Sequence, residues 1–417
     1  MKTNETTPIS QGYKMTSLGV IPQDWEVKRL KNISRVVTGN TPSTSDMANY
    51  GNKYFFVSPV DLSENKYIYN TEKKLSLKGY SLSRQIPAGA VLFTCIGSTI
   101  GKMGITISPL TCNQQINAII CNSDISNEYV YYELSNRAKR IKLLAGEQAV
   151  PIINKSDFEN SKILLPPFSE QQKIAEVLGT WDKAIEMQTQ LIKKLELRKK
   201  GLMQQLLTGK KRLPGFNKKW EKIKLGKIGK FDKGFGVPKD SIKENGNKAI
   251  TYGEIYTKYN YVIKNVASYI DDETASISKK ITRGAILFTG SGETLEDIGK
   301  CVAFIDNDVA YAGGDIIIFN PSIGINSVVL SYCLNSSPVN AQKWKYGQGF
   351  SVVHIYKKDL AKIQIEIPSL EEQTAIAQVL TAADHEIELA QQKLELLRQQ
   401  KRGLMQQLLT GKKRVKL

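Results

Sequence analysis

The residues of this chain that could do chemistry are two glycine-lysine stretches, two histidines, five cysteines and a proline pair. Gly97-Ser-Thr-Ile-Gly-Lys102 has the glycines and lysine of a phosphate-cradling loop, but it is one residue short of the required spacing. Met103 also stands where a hydroxyl must bind magnesium. Gly292 to Lys300 is too long and is followed by Cys301. Gly234-Phe-Gly236 lacks the third glycine of a dinucleotide fingerprint and its βαβ setting. Neither His354 nor His385 stands beside a Ser or Cys nucleophile in the sequence, which argues against a triad. Cys95, Cys112, Cys121, Cys301 and Cys333 are odd in number, scattered and without a C-x-x-C pair, so neither a zinc site nor a disulfide framework is expected. Leu165-Pro-Pro-Phe168 shares its prolines with the Asn-Pro-Pro-Tyr of adenine methyltransferases, but leucine replaces the amide that polarises the target amine. The expectation is a chain with no catalytic residues and no metal ligands of its own.

Binding is a different matter. The 58 Lys plus Arg against 40 Asp plus Glu leave a formal charge of +18, and a surplus of that size calls for an anionic partner, nucleic acid before others. Readers of a nucleic acid are polar, basic or aromatic residues on glycine-rich loops, where the backbone can approach a groove and side chains can reach base edges and phosphates. In the first half these are Thr38, Asn40, Thr41, Ser43, Lys53 and Ser58. In the second they are Lys233, Lys239, Tyr252, Lys258, Lys345 and Gln348. The plain alternative for each is an ordinary turn or a solvated charge.

The elements that must position these residues come in duplicate. Ser169 to Arg212 returns without a gap at Glu371 to Arg414, and the last twelve residues of each copy, Gly201 to Arg212 and Gly403 to Arg414, are identical. Steps of four and three residues run through Ile174, Leu178, Trp181, Ile185, Gln188, Ile192, Leu195, Lys199, Leu202 and Leu206. In the second copy they run through Ile376, Leu380, Ala383, Ile387, Ala390, Leu394, Leu397, Lys401, Leu404 and Leu408. A 4-3 alternation held this long predicts helices that lay a narrow stripe on a partner helix, most simply on each other. About 40 residues at roughly 1.5 Å each make a rod on the order of 60 Å long. Lys199 and Lys401 on the stripe are read as register devices rather than sites. Ser169 with Gln172 and Ser369 with Glu372 have capping-box spacing, and Gly209 and Gly411 suit the left-handed residue past each helix.

The blocks before each rod are also related. Trp25 and Trp220, Leu30 and Leu225, Ile33 and Ile228, and Gly39 and Gly234 all lie 195 residues apart, and Gly89 to Thr94 answers Gly284 to Thr289. Short apolar runs at 54–57, 90–93, 117–120, 285–288 and 315–319 predict strands; 127–144 and 327–345 predict one helix per block. The chain thus divides into 1–165, 166–212, 213–367 and 368–417: two mixed α/β (α+β) domains joined by two long antiparallel coiled-coil helices, an internal repeat with a pseudo-twofold. The basic stretch Lys210 to Lys219 suits a linker or a solvated charge run equally. No apolar run is long enough for a membrane span, Met1 to Pro8 lacks the apolar core of a signal peptide, and a reduced, cytoplasmic setting is expected.

With these residues in view, the chain resembles the specificity subunits of type I restriction-modification systems. The run from Pro166 to Ala175, its echo from Pro368 to Ala377 and the doubled Gly-Leu-Met-Gln-Gln-Leu-Leu-Thr-Gly string are similar to that family's central and distal conserved regions. Thr38-Gly-Asn-Thr-Pro-Ser43 with Phe56-Val-Ser-Pro59 looks like the opening of its target-recognition domains. Lys233-Gly-Phe-Gly-Val-Pro238 departs from that opening and looks like a different recognition-domain type. The resemblance implies a non-catalytic subunit that binds a bipartite double-stranded DNA site. It also implies two modification subunits docked on the helices, and restriction subunits in the full assembly. S-adenosylmethionine, ATP and magnesium would belong to those partners. A fused restriction-and-methylation enzyme, which would need methyltransferase motifs, and a coiled-coil scaffold without a DNA role are the competing readings.

Overall fold

The computed structural model describes residues 11–62, 65–146, 149–322, 324–349 and 351–416, so the N-terminal residues read for a signal peptide lie outside it. The described residues form two compact units. The first runs to Thr189 and takes up the chain again from Gln392; the second is Gln190–Gln391. Each unit therefore holds one block with a half of each long helix.

In the first unit a five-stranded sheet places Ser34–Thr38, Ile116–Cys121, Val91–Thr94, Met103–Thr106 and Tyr67–Ile68 side by side in that order. All four residues of Val91–Thr94 are buried, which is why this run is uninterruptedly apolar up to its last residue. A smaller sheet carries Thr111–Cys112, Tyr54–Val57, Lys73–Leu75 and Tyr50–Gly51. The helix Asn127–Lys142, capped by the Ser126 hydroxyl on the Tyr129 amide, covers the larger sheet. Trp25, Phe93, Tyr129, Tyr132 and Phe158 pack here with Ile174, Leu178 and Leu408 of the long helices and with Leu409 just past the second of them.

The second unit repeats the frame. Its five-stranded sheet runs Gly229–Lys233, Ile316–Pro321, Ile286–Thr289, Cys301–Phe304 and Val262–Ile263. Where one helix was expected over 327–345 there are two, Ser327–Leu334 and Ser337–Trp344. Pro338 in the first turn of the second cannot donate to a preceding turn, and the Asn335 amide is spent on the backbone N–H and C=O of Cys301. Phe288, Phe319 and Tyr332 pack with Leu206, Leu207, Ile376 and Leu380.

The two long helices are Phe168–Leu206 and Leu370–Leu408. Within the first unit they meet antiparallel: Asp182 accepts from Lys401 Nζ and from the Tyr132 hydroxyl, and nearer the start of the first helix Glu170 accepts from Arg414 Nε at 2.7 Å. The second unit repeats this pairing, with Asp384 accepting from Lys199 and Tyr332, and Glu372 from Arg212 Nε at 2.6 Å. Of the stripe, Ile174, Leu178, Ile192, Leu195, Leu206, Ile376, Leu380, Ile387 and Leu408 are buried, and Trp181, Ile185, Leu202, Leu394, Leu397 and Leu404 are half-buried. Lys199 and Lys401 each place their ammonium group over a tyrosine ring, Lys199 at 4.1 Å from the Tyr261 centroid and Lys401 at 5.3 Å from that of Tyr132, so both are spent within the fold.

The capping boxes do not form as expected. Ser169 lies inside its helix, where the Pro167 carbonyl accepts from Glu170 and Gln171, and Glu372 gives its carboxylate to Arg212 and Trp220. Instead Gln171 and Gln373 tie each helix to its block: Gln171 accepts the Ser126 N–H at 2.9 Å, and Gln373 accepts that of Asn326 at 2.8 Å. Gly209 and Gly411 are left-handed, at φ 66° and 70°, as their positions predicted. Arg212, within the stretch read as a linker or a solvated run, is held by Glu372 and the Lys218 carbonyl. All five cysteines are free thiols; four are buried and Cys121 is half-buried. Burial pushes each of them up to about 12.

Candidate nucleic-acid interface

In the first unit Ser34–Thr38 and Val91–Thr94 end, and Ile116–Cys121 and Met103–Thr106 begin, at one edge of the large sheet. The Thr38 hydroxyl donates to Asn117 Oδ1 at 2.6 Å, and Asn117 Nδ2 lies 3.1 Å from the Cys95 sulfur. Gly39 is required there, because a Cβ would stand 2.2 Å from the Cys112 carbonyl oxygen. Asn40 spends its whole amide on the fold: Oδ1 accepts the Arg84 N–H at 2.7 Å and Nδ2 donates to the Leu82 carbonyl at 3.2 Å. Thr41 donates to Gln114 Oε1 at 2.6 Å, and both side chains are exposed.

Ser58 reaches the same edge, since the Val57 carbonyl accepts from Asn113 N–H, but its hydroxyl is committed to Asp61 at 2.8 Å. Ser43 sits on the following loop, 2.8 Å from Ser45 Oγ. Lys53 precedes the strand Tyr54–Val57 and so stands at its far end, over the Tyr54 ring. The structure thus gathers Thr38, Asn40, Thr41 and Ser58 and leaves Lys53 apart. It adds Arg84, whose Nη1 donates to the Thr38 carbonyl at 2.7 Å, and Gln114. Three consecutive amide residues before an apolar strand, Asn113 to Gln115, were a usable signal for Gln114; nothing local marked Arg84.

The matching edge of the second unit carries Lys233, exposed at the end of its strand. Next to it Lys279 holds the Asp232 carboxyl below its ordinary range. Asp315 is left-handed at φ 60°, and its carbonyl accepts the Gly290 N–H at 2.9 Å. The Tyr252 hydroxyl donates to the Ser291 carbonyl, and that of Tyr256 lies 2.7 Å from the same oxygen. Ser291 Oγ is 2.9 Å from His354 Nδ1, a meeting of residues 63 positions apart that adjacency in the sequence does not reveal. The pair bridges Ser291–Gly292 to Val353–His354 and joins two loops. Gln348 and His354 exchange backbone hydrogen bonds at 3.0 and 2.8 Å, and Lys345 is exposed just before them. Lys239 is exposed on the short helix Lys239–Ser241, and Lys258 pairs with Glu254 of its own helix at 2.9 Å. Lys233, Tyr252, Lys345 and Gln348 therefore belong to one loop cluster, Lys239 to its margin, and Lys258 to a helix end.

Beneath this cluster Lys343, 1% exposed, donates to the Gly299 carbonyl at 2.6 Å, and burial pulls its ammonium down to about 8 from 10.5. A lowered folded value means that the associated stability is fully present above pH 10.5, is lost as pH falls from 10.5 to 8, and changes little below that. Between pH 8 and 10.5 the wild type should therefore gain about 3 kcal/mol relative to Lys343→Met. Parallel melting curves against pH would show the gap closing; curves of equal slope would mean that the amine keeps its ordinary basicity.

Two loop clusters thus stand on matching sheet edges, each in a unit that also holds part of both long helices. Residues 22–197 and 217–399 match the type I restriction modification DNA specificity domain, and the chain belongs to that family. It is a specificity subunit, non-catalytic, whose role is DNA target recognition. It is 30% identical over 311 residues to the type I restriction enzyme MjaIX specificity subunit of Methanocaldococcus jannaschii, covering 68% of this chain and 70% of that one. It is 28% identical over 438 residues to that organism's putative type I restriction enzyme MjaX specificity subunit, covering 97% of each. Its fold is similar to that of the S subunit from M. genitalium, with a TM-score of 0.58 at 15% identity over 92% of this chain and 96% of the other. A chain from a study of assembly and conformational transition in the type I R-M system has a TM-score of 0.60 at 17% identity, covering 94% and 99%. No helix among the described residues is long and apolar enough to cross a membrane.

Proposed function

We propose that each unit reads one half of a bipartite, asymmetric double-stranded DNA site, and that the long helices fix the gap between the halves while docking two modification subunits. Restriction subunits join in the full assembly. S-adenosylmethionine, ATP and magnesium act on those partners, and the setting is cytoplasmic. The observation that carries this reading is one frame with two vocabularies: at the start of the same strand the first unit has Asn113-Gln-Gln115 and the second has Gly313-Gly-Asp315. Amides suit adenine edges and a carboxylate suits the cytosine amino group, so matched frames with different side chains fit two unlike half-sites.

Footprinting the chain with its modification partners on a site library should return two short elements at a constant gap. The affinity should fall steeply and log-linearly with salt as phosphate contacts release counterions. A single continuous motif, or no motif, would refute the reading.

A further inference from the structure

Asn40 and Phe235 hold one and the same position in the two units. Each follows a glycine whose N–H donates to the first residue of the neighbouring strand, Gly39 to Ile116 at 3.0 Å and Gly234 to Ile316 at 2.7 Å. Each donates its own N–H to the adjoining loop, Asn40 to the Cys112 carbonyl and Phe235 to the Ala312 carbonyl, both at 3.0 Å. Neither glycine tolerates a side chain, since a Cβ on Gly234 would stand 2.0 Å from the Gly313 carbonyl oxygen.

The two side chains differ in what they do. Asn40 turns inward and seals its loop through Leu82 and Arg84. Phe235 turns outward, 65% exposed. Its backbone has little freedom to fold the ring away: the Lys279 N–H donates to its carbonyl at 2.9 Å, and Gly236 is left-handed at φ 75° against Ser278. Val237 is left-handed too, at φ 53°, although it is β-branched and buried. Such backbone persists only where the surroundings over-determine it, and such outliers gather at ligand-contacting sites.

The ring is therefore displayed by a rigid loop that follows Lys233 in the chain and is tied to the Gly313-Gly-Asp315 turn by the Gly314 N–H, which donates to the Gly236 carbonyl at 3.3 Å. Exposed Lys233, two residues earlier, suits a phosphate, and an exposed apolar disc suits the apolar feature of a base edge. In the major groove that feature is the C5-methyl of thymine.

We propose that Phe235 packs against the methyl group of a thymine in the half-site read by the second unit, an assignment that rests on the DNA-reading role above. The test uses the full chain assembled with its modification partners, with each thymine of the mapped second half-site replaced in turn by uracil. The wild type should bind roughly fourfold more weakly at one position, the factor for one buried methyl. Phe235→Ala should bind the thymine site more weakly and be indifferent to uracil there, with Phe235→Leu in between. Recognition of the first half-site is the folding control and should be unchanged in all variants. A wild type indifferent to every replacement, a uracil penalty that survives Phe235→Ala, or a second half-site without thymine would each overturn the assignment. If no half-site maps for the wild type, the DNA-reading role falls with it; if both halves map and uracil is neutral, only Phe235 loses its place.

Discussion

Glu170→Ala should destabilise the first unit by about 1–3 kcal/mol, the range for leaving one buried hydrogen-bond donor unpaired, since the arginine that also loses this partner is exposed to solvent. Glu170 is 1% exposed and accepts from the Trp25 indole N–H at 2.9 Å and from two nitrogens of Arg414 at 2.7 Å. Alanine would leave a fully buried indole N–H unpaired and a guanidinium with only Asp24 to pair with. Glu372→Ala should do the same to the second unit, where Trp220 and Arg212 converge on one carboxylate. Denaturant unfolding with hydrogen-exchange readout should locate each loss in its own unit. Equal loss of protection in both units, or none in either, would show that these carboxylates do not anchor the blocks.

Exchanging residues 1–165 for the corresponding block of another family member should abolish methylation of the original target and create a new one that keeps the old second half and the old gap. Several base pairs would be mismatched at once, each costing about 1–3 kcal/mol, so loss at the parental site should be essentially complete. The graft must preserve the joints: Trp25 to Glu170, the Ser126 N–H to Gln171, and Tyr132 to Asp182. Genome-wide mapping of methylated adenines decides it. A hybrid that keeps the parental sequence, or alters both halves, would show that the blocks do not read DNA independently.

The sequence made the large features legible because they are periodic or duplicated. A 4-3 stripe needs no tertiary knowledge, and every apolar residue named on it is buried or half-buried. The strand runs were legible because a fully buried strand is apolar throughout, as at Val91–Thr94. What escaped depends on partners distant in the chain. Asn40 looks like a reader until Leu82 and Arg84 are seen to take both ends of its amide. Ser291 and His354 lie 63 positions apart and meet only through a two-residue ladder. The expected capping boxes lost to stronger claims: Glu372 can serve its own helix start or the Arg212 guanidinium, and the charged pair wins. Phe235 was passed over although aromatic types were sought, because its message lies in a backbone that presents an apolar ring to solvent, which no local sequence pattern shows.

The thiols carry a practical consequence. With all five shifted to about 12, the thiolate fraction at neutral pH is on the order of one in 10⁵, and maleimide or methanethiosulfonate reagents should leave the native chain almost untouched. A cysteine introduced at an exposed helix position such as Lys193 would then take up a fluorophore or spin label selectively on the unaltered background. Distance spectroscopy during assembly on DNA thus becomes possible without first stripping the protein of its own sulfur.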